Sequence, residues 1–241
     1  MIGCLDPNPV VSSNSVSLLR KNNVDVQVGV LEKECEHLIR KFKTNLDGRP
    51  YIILKWAQSQ DGYMGKKDKQ VWISNQYSKV LVHKWRSEID GIMVGTQTVI
   101  SDNPSLTTRE WEGDSPIRIV PDFEDRIPKS AKIFTDGYPT IILNQSKQEQ
   151  VENIEYLNVG SKEISQYWKQ LYTRGIYSIL VEGGKQLLNN ILESGLWDEA
   201  RVITASEELQ GGLRAPTVIG KLYDKQRLSG DFIVSILNEG S

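Results

Sequence analysis

An apolar run followed by two glycines is the stretch of this sequence best suited to bind a ligand. Residues 178–181 have the composition of a buried parallel strand, and Glu182, Gly183 and Gly184 follow directly. Glycines leave room for a ligand beside the backbone, and a helix opening at Lys185 offers free N–H groups to a phosphate. The stretch predicts a phosphate-binding turn with Glu182 at the sheet edge, although an ordinary tight turn stays open as the alternative.

Charged residues near other predicted element ends could complete such a site. Lys55 interrupts an apolar strand over residues 51–57, and a lysine there is costly unless it is paired or faces a cleft. Arg86 falls near the end of a predicted helix, where an arginine either compensates the helix dipole or binds a phosphate bidentately. Asp102 and Arg109 bracket a loop that follows a second strand–glycine–helix junction.

Composition excludes several classes of protein. The 241 residues are 25% charged and 39% hydrophobic with a net charge of −2, which is ordinary for a soluble globular protein and does not indicate a general nucleic-acid binder. The N-terminus has no secretory-signal pattern, and no apolar run approaches the ~20 residues that span a bilayer. The two cysteines make no disulfide scaffold, so we expect a cytoplasmic protein.

The sequence does not favour a metal site. It contains two histidines, and Cys35 and His37 are two positions apart, so on a helix their side chains point to different sides. We therefore expect no zinc site built from cysteine and histidine.

From residue 50 onward, strand-like and helix-like segments alternate. Apolar runs near residues 90–95, 117–121, 139–143 and 154–159 are typical of buried strands, and the segments between them have helical spacing. This alternation predicts a three-layer α/β architecture with a largely parallel sheet, helices on both faces, and late strands that are antiparallel. Polar residues at the strand ends should meet at one edge of that sheet, where a cofactor and a small substrate bind.

The first 46 residues differ from the rest. We predict a helix over 13–21, a strand over 24–30 from its alternating valines, and a helix over 31–42. A polar linker over 44–50 follows. A strand of this kind needs partners, so the helix–strand–helix piece must dock on the remaining chain or on another copy.

Several short motifs occur in an order that is more specific than any one of them. Together they resemble the reductase domain of the bifunctional riboflavin-biosynthesis deaminase/reductase, which has a dihydrofolate-reductase-like fold. The residues that carry this resemblance are Lys55, Ala57, Ser59, Asp61, Gly62, Trp72, Ile73, Ser74, Arg86, Asp90, Ile92, Val94, Gly95, Thr98, Asp102, Asn103, Pro104, Leu106, Thr107, Arg109, Pro116, Arg118 and 179–184.

The resemblance implies two domains. Residues 47–241 correspond to the reductase domain, and residues 1–46 look like the tail of the family's deaminase domain. The deaminase zinc signature would lie before Met1, so deaminase activity is not expected of this chain. The chain is either a fragment of a longer protein or a reductase with a vestigial tail, and both interpretations stay open.

The resemblance also implies an activity and its residues. The family reduces 5-amino-6-(5-phosphoribosylamino)uracil to the ribitylamino product, with a hydride delivered from NADPH to the sugar C1′. The implied cofactor contacts are Ala57, Trp72, Thr98, Asp102, Gly183, Gly184, Lys185, Gln186 and Leu187, within a segment that extends to Asn190. The implied substrate contacts are Gln70, Arg86, Leu106, Arg109 and Glu182. The candidates for catalytic groups are Lys55, Asp102 and Glu182.

Two positions depart from the family pattern. Gln70 stands where a serine is frequent, and Phe123 follows Asp122 where a small hydroxyl residue is frequent. The second departure leaves the choice between NADPH and NADH open. The alternatives to this function are another dihydrofolate-reductase-like reductase of a pterin or pyrimidine and a catalytically inactive assembly module. We expect self-association, most simply a homodimer.

Overall fold

A ten-stranded sheet forms the centre of the protein in the computed structural model, which describes residues 1–12, 14–66 and 71–240. A two-stranded antiparallel sheet formed by β2 and β10 is separate from it. The strands within the described residues are β1 (Tyr51–Gln58), β2 (Tyr63–Gly65), β3 (Gly91–Met93), β4 (Ile117–Pro121), β5 (Thr140–Asn144), β6 (Glu149–Val151), β7 (Ile154–Asn158), β8 (Ser178–Val181), β9 (Glu199–Thr204), β10 (Leu213–Arg214), β11 (Lys221–Leu228) and β12 (Asp231–Leu237).

The helices divide between the N-terminal segment and the connections between strands. Within the described part of the chain they are α1 (Pro9–Ser12), α2 (Ser15–Lys21), α3 (Glu32–Leu38), α4 (Arg40–Leu46), α5 (Gln76–Ser87), α6 (Thr96–Asp102), α7 (Lys132–Thr135), α8 (Ile164–Tyr172) and α9 (Lys185–Ser194). No helix within the described residues combines the length and the hydropathy of a membrane-spanning segment.

The large sheet is mostly parallel, as the sequence predicts. Its strand order is β11-β12-β9-β1-β8-β3-β4-β5-β7-β6, and every pair from β9 to β7 is parallel. The late strands β12 and β11 pair antiparallel at one edge, and the short β6 pairs antiparallel at the other. Strand β11 is almost entirely exposed, so it has little of the apolar pattern that identifies a strand in sequence.

Helices cover both faces of the sheet. Alternate residues of β1 point to opposite faces because side chains alternate along a strand. Ile52 and Leu54 belong to the apolar cluster that holds α8 and α9, whereas Ile53 belongs to the cluster that holds α5 and α6. The predicted three-layer α/β architecture is therefore confirmed.

The carboxyl ends of β3 and β8 create a crevice. The two strands are adjacent and parallel, and each is followed closely by a helix. Val99 of α6 packs on one face of the sheet, and Leu188 of α9 packs on the other. Because the two connections leave toward opposite faces, the ends of these strands are left uncovered, which is where open α/β sheets bind ligands.

The N-terminal segment differs from the prediction. Residues 24–30 do not form a strand and make one isolated bridge, between Ile2 and Val28, because no neighbouring strand supplies a backbone ladder. The predicted helix over 31–42 is two helices, α3 and α4, which meet at Ile39. Helix α4 also extends to Leu46, into the segment predicted to be a linker.

The N-terminal segment docks on the rest of the chain through buried carboxylates. Arg49 binds Asp198 with both terminal nitrogens at 2.7 Å, and the hydroxyl of Thr44 donates to the same carboxylate at 3.1 Å. Arg40 donates to Glu199 at 3.1 Å. Both acidic side chains are almost fully buried, so these contacts tie α4 and the residues after it to the start of β9.

Candidate active site

The crevice between α6 and α9 is large enough for an extended ligand. Its volume is about 740 Å³. Strands β2 and β10 border it together with residues along α6 and α9. The lining residues are Met64, Gly65, Lys66, Val71, Gln97, Thr98, Ser101, Asp102, Glu182, Gly183, Gly184, Lys185, Gln186, Asn189, Asn190, Glu193 and Leu213.

The two glycines bring the backbone close to the crevice. Gly183 and Gly184 have φ values of 109° and 75°, a region that residues with a side chain rarely adopt. A Cβ at Gly184 would lie 3.1 Å from the hydroxyl of Thr98. The first N–H groups of α9 have no partner within the helix, and no side chain caps it at Gly184. This turn therefore offers N–H donors and a positive dipole end to an anionic ligand.

Glu182 lies at the centre of a buried charge cluster. Its carboxylate accepts from Arg86 Nε at 2.7 Å and from Arg86 Nη2 at 2.9 Å, and Lys55 Nζ lies 3.7 Å from Oε2. The side chains of Glu182, Arg86 and Lys55 are 7%, 12% and 14% exposed. The cluster joins the end of β8, the last turn of α5 and the middle of β1, so the position of each charge is set by regular structure.

The surroundings shift the ionisation of this cluster. Burial by itself raises the pKa of Glu182, but the opposing charges of Arg86 and Lys55 lower it to about 2. Burial lowers the pKa of Lys55, and Arg86 lowers it further, whereas Glu182 raises it. Lys55 therefore gives up its proton more readily than an ordinary lysine, and Glu182 stays ionised at neutral pH.

A loop after α6 connects the Glu182 cluster to the exposed side chain of Arg109. Arg86 Nη1 donates to the carbonyl oxygen of Thr107 at 3.0 Å, and Arg109 Nη1 donates to the hydroxyl of Thr107 at 2.8 Å. Arg109 is exposed, so its guanidinium remains accessible to a ligand. All three guanidinium nitrogens of Arg86 have partners within the chain.

A smaller hollow of about 250 Å³ continues the crevice past the start of α9. It shares Thr98 and Gly184 with the crevice, and it is also lined by two cations that do not line the crevice, Arg126 and Lys162. Arg126 Nη2 donates to the side-chain oxygen of Gln97 at 3.0 Å, and Lys162 Nζ lies 5.3 Å from the centre of the Phe123 ring. These two cations could pair with an anionic group of a ligand in the hollow.

The structure brings most of the predicted cofactor residues together. Thr98, Asp102, Lys185 and Gln186 line the crevice with the two glycines, and Leu187 lines the smaller hollow. Asp102 is the last residue of α6 and is exposed. The roles assigned to these residues remain predictions.

Other predicted site residues lie elsewhere. Trp72 is 76% exposed and does not line the crevice, and Lys79 Nζ lies 5.6 Å from the centre of its ring. Ala57 packs beside the core on β1. Leu106 is buried with a φ of 58°, so its side chain belongs to the core. Gln70 lies outside the described residues.

Sequence reasoning missed several residues of the site. The guanidinium of Arg86, predicted to bind a phosphate bidentately, binds the carboxylate of Glu182 instead. Glu182 is 96 positions away in sequence. Thr107 and His83, which contact the arginines, were not predicted, although His83 stands one helical turn before Arg86. Arg126 and Lys162 had no motif to identify them.

The sequence of residues 50–232 matches the family described as the RibD C-terminal domain. The chain belongs to this family. A curated relative, the riboflavin biosynthesis protein RibD of Aquifex aeolicus, is 34% identical over 222 residues, which are 88% of this chain and 62% of that protein. The chain thus spans about three fifths of the length of that RibD relative.

This chain covers a larger share of a second relative. The 2,5-diamino-6-ribosylamino-4(3H)-pyrimidinone 5′-phosphate reductase of Aquifex aeolicus is 34% identical over 187 residues, which are 71% of this chain and 83% of that protein. A solved structure of a deaminase/5-amino-6-(5-phosphoribosylamino)uracil reductase from Thermotoga maritima superposes with a TM-score of 0.83 at 28% identity. It covers 98% of this chain and 70% of the Thermotoga chain.

Replacing Arg86 with methionine tests the origin of the acidic pKa of Glu182. We expect the pKa to rise from about 2 toward or above the ordinary 4.5, because burial is then opposed only by the weaker effects of Lys55 and His83. Carboxyl ¹³C shifts recorded against pH measure this. The control, Lys55→Met, should raise the pKa less. A pKa that stays near 2 in Arg86→Met contradicts the assignment.

Proposed function

We propose that this chain is an NADPH-dependent reductase that converts 5-amino-6-(5-phosphoribosylamino)uracil into its ribitylamino product. The observation that carries the proposal is the crevice, which opens at the two-glycine turn of Gly183 and Gly184 and borders the buried cluster around Glu182. Membership in the RibD C-terminal domain family and the reductase named among the relatives support the reaction class.

The turn before α9 fits the pyrophosphate of a dinucleotide. The glycines admit a phosphate beside the backbone, and the N–H groups of Lys185 and Gln186 would donate to it. Thr98 and Asp102 border the same crevice from the opposite helix. When bound, a reduced nicotinamide cofactor supplies the hydride for the sugar C1′.

The 2′-phosphate of NADPH would lie in the smaller hollow. Arg126 and Lys162 are the cations there, and a phosphate dianion near two cations is favoured over the bare hydroxyl of NADH. The arrangement supports NADPH as the cofactor even though Phe123 replaces a small hydroxyl residue.

The 5′-phosphate of the substrate would bind Arg109. This guanidinium is exposed and is held by Thr107, whereas Arg86 is engaged with Glu182. A planar guanidinium matches two phosphate oxygens at once, which gives the substrate one orientation. Arg86 would act on the substrate side by fixing the carboxylate of Glu182.

Lys55 would donate the proton that accompanies the hydride. Reduction of the open-chain imine adds a hydride to C1′ and a proton to the adjoining nitrogen. The ammonium of Lys55 is buried beside Glu182, and burial lowers its pKa, which suits a proton donor. Solvent then returns the proton to the lysine.

We further propose that the protein is a cytoplasmic homodimer. Cys4 and Cys35 are both free thiols, which agrees with a reducing compartment. Strand β11 is an exposed edge of the sheet and presents Leu222 to solvent, and a second copy could cover such an edge.

The activity is tested by NADPH oxidation with the phosphorylated substrate in the unsubstituted chain and in Arg109→Ala. We expect Arg109→Ala to raise KM for the substrate by about 10- to 100-fold, because a charge-assisted contact to the phosphate is lost, with the KM for NADPH unchanged. The control is Lys169→Ala at an exposed position of α8 outside the crevice. No oxidation by the unsubstituted chain, or equal loss toward substrate and cofactor, contradicts the proposal.

Replacing Arg126 with glutamine tests the cofactor preference. We expect the KM for NADPH to rise about tenfold and that for NADH to stay the same, because only NADPH has a phosphate to lose a partner. Lys169→Gln, an exposed substitution on α8, serves as the matched control. If Arg126→Gln affects both cofactors alike, the assignment of the 2′-phosphate to this hollow is wrong.

A further inference from the structure

His83 is a buried histidine of α5 that the proposed reaction does not use. His83 is 2% exposed. It stands three positions before Arg86, so the two side chains lie on one face of α5. Its Nδ1 accepts a hydrogen bond from the backbone N–H of Arg109 at 3.0 Å. The contact joins the helix that holds Glu182 in place to the residue that we assign to the substrate phosphate.

The contact requires a neutral imidazole. An Nδ1 that accepts a hydrogen bond cannot carry a proton, so the ring proton lies on Nε2. Burial lowers the pKa of His83, and the nearby positive charges of Arg86 and Arg109 lower it further, while Glu110 and Glu182 raise it. The surroundings thus favour the form of the ring that can accept from Arg109.

Helix α5 also holds the loop that carries Arg109 through a second residue, Arg86. Arg86 Nη1 donates to the carbonyl oxygen of Thr107, two residues before the amide that His83 accepts from. The hydroxyl of Thr107 in turn accepts from the Arg109 side chain. His83 and Arg86 therefore restrain both ends of the segment 107–109, and Arg86 links that segment to Glu182.

We propose that His83 is a positioning residue for the substrate phosphate, which holds the backbone of Arg109 so that its guanidinium keeps a fixed place relative to the Glu182 cluster. This inference rests on the proposed function. It assigns to His83 no contact with substrate or cofactor. Its effect is on substrate binding, because a phosphate-binding arginine on an unrestrained loop must be ordered at each binding event.

Three variants separate positioning from packing. His83→Asn removes the ring but supplies an amide oxygen near the place of Nδ1, and His83→Leu keeps the volume but has no acceptor. Val82→Ala is the matched control, because Val82 is the buried neighbour of His83 on α5 and its truncation leaves a cavity in the core while keeping the Nδ1 acceptor of His83.

The first measurement is hydrogen exchange of the Arg109 amide by NMR in ligand-free protein. We expect protection in the unsubstituted chain, in His83→Asn and in Val82→Ala, and exchange at least about tenfold faster in His83→Leu. The second measurement is steady-state kinetics. We expect His83→Leu to raise KM for the phosphorylated substrate about tenfold while kcat changes less and the dissociation constant for NADPH, followed by tryptophan fluorescence, does not change.

Two results would overturn the inference. One is an Arg109 amide that exchanges equally fast in His83→Leu and Val82→Ala. The other is a rise in KM for the substrate that is as large in His83→Asn as in His83→Leu, or a rise in His83→Leu that is equally large for NADPH. If the unsubstituted chain fails to oxidise NADPH with this substrate, the proposed function fails, and the amide exchange, which needs no turnover, still decides whether His83 holds Arg109.

Discussion

The site depends on one buried carboxylate, that of Glu182. Its two oxygens are held by Arg86 from α5 and approached by Lys55 from β1, so three separate elements converge on one charge. Removing one partner of a buried pair leaves an uncompensated charge, which typically costs about 3–5 kcal/mol. The ion pair therefore fixes the position of α5 against the sheet, and with it the loop that carries Arg109.

The end of β8 also positions the turn that we propose binds the cofactor. Glu182 is followed at once by Gly183 and Gly184, so the backbone that aims the carboxylate into the charge cluster is continuous with the turn that presents the helix N–H groups. The amide of Glu182 donates to the carbonyl of Met93 at 2.9 Å, which extends the pairing of β8 and β3 to this residue. A shift of the strand end would therefore move both halves of the site together.

The sequence could predict what local patterns determine. The apolar run before Glu182 and the glycines after it specify a strand, turn and helix by short-range rules, and the structure has them. The elements that the sequence did not predict correctly depend on contacts between segments that are distant in the sequence. Residues 24–30 alternate like a strand but find no ladder, and the exposed strand β11 has no apolar pattern to reveal it. The position of Arg86 near a helix end left a dipole contact and a phosphate contact open, and neither identifies its partner Glu182, which is 96 positions away.

Glu182 keeps Lys55, the proposed proton donor, more protonated than burial and Arg86 alone would leave it. The pH dependence of kcat tests this effect. Because burial and Arg86 lower the pKa of Lys55 while Glu182 raises it, kcat should fall as pH rises through a value below the ordinary 10.5 of lysine. In Glu182→Gln that fall should move to lower pH, and in Lys55→Met it should be absent. A fall of kcat at the same pH in all three proteins would show that Lys55 is not the proton donor.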